Sequence, residues 1–114
     1  FYEDDDLCRR MRDAGHALVH VDGAAAAHGR GRSSEPTPAR RYAARWHLAW
    51  SRSYVAAKYG LPRPGLIAII KAAAKTIGYG LLLNRDRVMA HAGSVAGALA
   101  WRRGLSALAR QRLD

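Results

Sequence analysis

A single cysteine, Cys8, and a single phenylalanine, Phe1, occur in the 114 residues. One thiol excludes an internal disulfide framework and a cysteine-rich zinc site, and suits a reducing compartment. Uncharged apolar runs never reach the length of about 18 residues that marks an ordinary membrane-spanning helix. Acidic residues are scarce after the start: beyond Gly23 only Glu35, Asp86 and Asp114 stand against sixteen of the nineteen Lys and Arg. Neither an initial Met nor a signal-peptide pattern is present, so the chain is read as the later part of a longer protein.

What is present argues for folding. Apolar residues make up 49% and charged residues 25% of the chain, a balance unlike that of disordered segments. A chain of this size hides about 65% of its surface, enough for one modest core. The net charge is +10 and the isoelectric point about 10.8, yet four of the nine acids are consecutive: Glu3, Asp4, Asp5 and Asp6. An acidic head thus precedes a basic body.

Acids in the first turn and Arg9, Arg10 and Arg12 after them predict a helix over 5–14, since that order complements the helix dipole. Leu7, Cys8 and Met11 form its narrow apolar face, and Gly15 supplies a stop. Residues 17–21, Ala-Leu-Val-His-Val, read as a short buried strand, followed by a turn at Asp22-Gly23. Residues 24–27 suit either a second strand or a helical turn. The run His-Gly-Arg-Gly-Arg-Ser-Ser-Glu-Pro-Thr-Pro over 28–38 is a loop long enough to suggest function. Thr37-Pro38 then opens a helix running to Tyr59, ended by Gly60 and Pro62. Tyr42, Trp46, Trp50 and Tyr54 stand four apart on it. A strongly apolar helix follows over 65–83, with Lys71 and Lys75 on one face, and a last helix over 86–112, weakened by Gly93, Gly97 and Gly104.

Four consecutive acids at a helix start exceed what the dipole needs, and crowding like charges costs energy. A carboxylate fixed in a first helical turn below a cleft is well placed to accept a proton. The block Glu3-Asp4-Asp5-Asp6-Leu7-Cys8-Arg9-Arg10-Met11-Arg12-Asp13-Ala14-Gly15, with His28 thirteen residues beyond the glycine, resembles the family 2 glycosyltransferases. Their E-D-x-D-L-C-x-R-x-x-x-A-G block precedes a strand, a small-residue stretch and a His before a Gly/Ser loop. The likeness covers residues 1–34, departing at Asp22-Gly23-Ala24, where many relatives have a Pro-containing turn. Residues 46–60 are similar to a helix of the family's rhamnosyltransferase-like branch.

The resemblance implies an α/β, Rossmann-like GT-A parent. This fragment would be mainly α with one or two short strands: helix, strand or strands, loop, then three helices. Residues 1–36 would end the catalytic domain, and 37–114 would form a basic, aromatic-rich tail. Asp4 would be the general base and Glu3 would orient a substrate; Asp6 and Arg9 would support the helix and loop. His28 would help bind a divalent metal, Mg or Mn, held mainly by a motif outside these residues. Arg30, Arg32, Ser33 and Ser34 would close over a diphosphate, to which the Arg fork is suited. The implied donor is a nucleotide-diphosphate sugar, and the acceptor a glycan or polyprenyl-linked molecule. The fragment alone is expected to be inactive.

For the basic tail three readings stand: packing on the catalytic domain, an anionic membrane surface, or nucleic acid. The apolar 65–83 helix and the nearby Trp and Tyr favour the membrane, placing the protein in the cytoplasm at the inner face of the plasma membrane. Nucleic acid is disfavoured because no recognition motif accompanies the charge. The alternative to an enzyme is a non-catalytic basic helical module binding a membrane or nucleic acid.

Overall fold

A computed structural model describes residues 1–27 and 37–110. They form helices α1 (Glu3–Asp13), α2 (Pro38–Lys58), α3 (Leu66–Leu81) and α4 (Arg85–Arg102), and a short α5 (Ala107–Arg110). No strand occurs among the described residues, so the expected α/β character is replaced by an all-helical fold. Residues 17–21 are irregular, with Leu18, Val19 and Val21 exposed. An extended segment is stable only when its backbone N–H and C=O groups meet a neighbouring strand. The described residues give this segment no such neighbour. The turn after it does form: Ala24 N–H donates to the Val21 carbonyl at 3.3 Å, with Gly23 at φ 84°.

Helix boundaries follow local chemistry. Thr37 caps α2 by accepting from Arg40 N–H at 3.2 Å, and Pro38 occupies the first helical position. Asn84 caps α4 by accepting from Arg87 N–H at 3.1 Å. Four helices close with the paired backbone bonds of a Schellman motif. After α1, His16 N–H donates to Met11 and Gly15 N–H to Arg12, both at 2.9 Å. Gly60 and Gly104 take the same left-handed position after α2 and α4. After α3 that position falls to Leu83, at φ 52°, where a side chain is strained. Gly104 also ends α4 well before the expected boundary at residue 112.

Helix α4 packs against both α2 and α3. Its glycines are contact points rather than weaknesses. A Cβ at Gly93 would overlap the Tyr42 carbonyl, and one at Gly97 the Trp46 carbonyl, so backbone meets backbone along the α2–α4 seam. Around this seam lie the buried residues Trp46, Ser53, Ala98 and Ala100. Gly65, at φ 76°, closes the junction where α2, α3 and α4 meet: a Cβ there would stand 2.8 Å from Ser53 Oγ and 3.6 Å from Ala98 Cβ. The aromatic row on α2 drifts around the helix, because four residues overshoot a turn of 3.6. Trp46 is therefore buried, Trp50 Nε1 donates to the Leu105 carbonyl at 2.8 Å, and Tyr54 stacks on Trp50 half-exposed.

Helix α1 buries no residue. A polar clasp holds it to the end of α2. Lys58 Nζ donates to both carboxylate oxygens of Asp6, at 2.6 and 2.9 Å, and Tyr59 Oη donates to Asp6 Oδ1 at 2.7 Å. The Arg9 guanidinium lies 4.4 Å from the centre of the Tyr59 ring.

Candidate functional site

The four acids of the opening block have separate fates. Asp6 is committed to the clasp, whose donors Lys58 and then Tyr59 hold its carboxyl below the usual value of 3.8. In return Asp6 raises Lys58 above 10.5 and Tyr59 above 10.0. Glu3 is exposed in the first turn of α1. Asp4 and Asp5 are exposed, and their carboxylates have no ion pair or hydrogen bond among the described residues. None of the four caps α1: Tyr2 stands at the cap, at φ 67°. Asp6 and Arg9, expected to support the helix and loop, both reach the end of α2, while the loop lies outside the described residues.

Tyr2 connects this acidic turn to a cluster of cationic side chains. Its side chain lines a cleft of about 220 Å³ with Arg45 and Arg52 from α2, Lys71 and Lys75 from α3, and His91 from α4. Leu48, Ala49, Ala68 and Ala72 supply apolar walls, and among the described residues no Asp or Glu lines the cleft. A second hollow of about 290 Å³ adjoins it, sharing Arg52, Ala68 and Lys71 and adding Arg63 and Ile67. No acid lines it among the described residues. The two together form a groove between α2 and α3, with α4 at one end.

The groove's electrostatics register on His91. Its ring stacks on Tyr79 with centroids 5.4 Å apart and planes 4° from parallel, while Arg87 Nη1 donates to Tyr79 Oη at 2.7 Å. Burial, then the charges of Lys75, Arg45 and Arg87, push the imidazole below its ordinary 6.5. Burial, the larger cause, disfavours a charge of either sign; only the smaller contribution of Lys75, Arg45 and Arg87 reflects the cationic lining.

Helical register explains the convergence. Arg45 and Arg52 are seven apart on α2, and Lys71 and Lys75 four apart on α3, so each pair shares a face. The lysine pair is visible from spacing in one helix. The arginines join it only because α4 sets α2 and α3 on either side of the groove.

His28, Arg30, Arg32, Ser33 and Ser34 lie outside the described residues. Among the described residues no three His, Cys, Asp or Glu side chains form a group able to hold a metal ion. The divalent metal that the family resemblance implies would be held by His28 and by a motif outside this chain, so that expectation lies outside the described residues, and no chemical step is assigned to such an ion. No described helix is long and apolar enough to cross a membrane. Set against protein-family models, curated proteins and solved structures, the chain finds no match.

Proposed function

We propose that this chain is the C-terminal part of an inverting glycosyltransferase. The enzyme transfers a sugar from a nucleotide-diphosphate donor to a lipid-linked or cell-envelope glycan, with rhamnose as the favoured sugar. The supporting observation is a juxtaposition: Asp4, an exposed carboxylate with no partner among the described residues, lies two residues from Tyr2 on the wall of the cationic cleft. Inverting transfer to a phosphate-bearing acceptor uses both parts, a free base and a local positive field.

In this reading the Asp4 carboxylate takes the proton of the acceptor hydroxyl. The hydroxyl oxygen bonds to the anomeric carbon from the face opposite the diphosphate. The bond from that carbon to the diphosphate oxygen breaks, and the nucleoside diphosphate leaves with the electron pair. Configuration at carbon inverts. Glu3 orients the acceptor or the donor, while Asp6 fixes the helix that presents Asp4.

In the full-length enzyme, Asp4→Asn is expected to lower turnover by about 10²–10⁴-fold, the range for losing a general base. Donor binding is expected to stay unchanged, and Asp5→Asn to retain activity. A wild-type rate in Asp4→Asn removes Asp4 from the role of base.

A further inference from the structure

Helix α3 carries an apolar stripe that no other described residue covers. Ile67, Ile70, Ile77 and Leu81 are all exposed, at 59, 61, 67 and 81%. Their spacing of three and four residues, with Ala74 between, aligns them on one side of the helix. The side facing α4 is different, carrying the buried Ala72 and Tyr79, whose ring meets His91. The stripe is therefore a second apolar face rather than the edge of the core.

Lys71 and Lys75 lie on the border between those faces, where they line the cationic cleft. Ile67 belongs to the stripe and to the adjoining hollow, so apolar surface and cationic groove are continuous. Leu82 and Leu83 extend the apolar surface past the helix end, at 73 and 91% exposed. Two occupants meet the apolar requirement: another protein surface or the acyl region of a bilayer. Charge distinguishes them. The groove beside the stripe presents Arg45, Arg52, Arg63, Lys71 and Lys75, without one lining acid among the described residues, which matches a surface dense in phosphate. An apolar face bordered by cations is also the pattern of helices lying in a membrane interface.

We propose that α3 lies in the surface of an anionic bilayer, its isoleucine stripe in the acyl boundary and lipid phosphates in the α2–α3 groove. The groove thus reads the phosphodiester of an anionic phospholipid. Orientation follows directly: α4 and the core face away from the lipid, and α1 stands at the groove's end beside Tyr2. The inference goes beyond the transferase reading and does not rest on it, because surface binding requires no turnover.

The test is flotation of the full chain with vesicles of phosphatidylcholine alone, or mixed equally with phosphatidylglycerol. Binding is expected to the mixed vesicles and not to phosphatidylcholine. Lys71→Gln with Lys75→Gln is expected to weaken it about 30-fold, at about 1 kcal/mol per cation. Ile70→Ser with Ile77→Ser is expected to abolish flotation. These positions are exposed, so an unchanged circular-dichroism spectrum establishes that each variant is folded. Arg102→Gln with Arg103→Gln, outside the groove, is the control. Equal weakening by that control would mean diffuse attraction and overturn the groove's role. So would flotation undiminished in the isoleucine variant, or tighter binding to duplex DNA than to the mixed vesicles. Binding of inorganic pyrophosphate without flotation would assign the groove to a free phosphate and overturn the lipid assignment.

Discussion

Helix α1 and the α2–α4 unit are held by opposite means. The unit is joined through backbone, with Gly93 and Gly97 against the carbonyls of Tyr42 and Trp46. Helix α1 buries nothing and is held by the Asp6 carboxylate shared between Lys58 and Tyr59, with Arg9 over the Tyr59 ring. A steric seam tolerates changes of pH and salt but no added atoms. A polar clasp tolerates added atoms nearby but responds to titration and screening. The acidic block thus sits on the element whose attachment solution conditions can alter, and the groove's arginines Arg45 and Arg52 on α2, which meets α4 through backbone and one half-exposed ion pair, Arg41–Asp86 at 3.7 Å.

The largest effect that would break this contrast comes from the seam. Gly97→Ala is expected to cost about 3 kcal/mol, the upper part of the range for overpacking, because the Cβ meets main chain rather than a movable side chain. Thermal unfolding monitored by circular dichroism would show the midpoint falling by about 15 °C. A midpoint within error of the parent would mean that α2 and α4 can separate cheaply.

The clasp sharpens the contrast through pH. Asp6 has a lowered pKa, so its contribution is complete above 3.8 and is lost as pH falls through the folded value. Lys58 and Tyr59 have raised values, so theirs are complete below 10.5 and 10.0 and are lost as pH rises through the folded values. Amide exchange in α1 is accordingly expected to quicken beyond intrinsic rates at both extremes, with α4 protection unchanged at mild acid. Asp6→Asn is expected to give the rapid α1 exchange already at neutral pH. Identical protection of α1 in that variant would show that something besides the clasp holds it.

A smaller effect concerns the end of α3. Leu83→Gly replaces a strained leucine by the residue used at the same position after α1, α2 and α4. A gain of about 1 kcal/mol is expected, the cost of a left-handed non-glycine residue. Urea denaturation provides the check, and a loss of stability would refute the strain argument.

Much of the helical pattern was legible because local chemistry fixes it. Thr37-Pro38 and Gly60 bound α2, and Gly15 terminates α1, for reasons contained within a few residues. The strand at 17–21 failed for the complementary reason: β-branched residues favour extension, but extension persists only with a partner strand. Gly93 and Gly97 were legible as poor helix formers and illegible as contacts, since propensity does not report how closely another backbone approaches. The acidic block could be located from sequence, whereas the separation of Asp6 from Asp4 and Asp5 required the positions of Lys58 and Tyr59. The groove was least visible, because its cations come from helices brought together only by a third.

The glycine seam also governs which alterations the molecule can absorb. In a saturation library selected only for folding, positions 93 and 97 would be reduced to glycine, whereas 67, 70 and 77 would accept almost any helix-compatible side chain. Mutational tolerance would then run across the molecule as a gradient, lowest between α2 and α4 and highest on the outer side of α3. That side can therefore be recoded for a different surface without disturbing the scaffold that carries it.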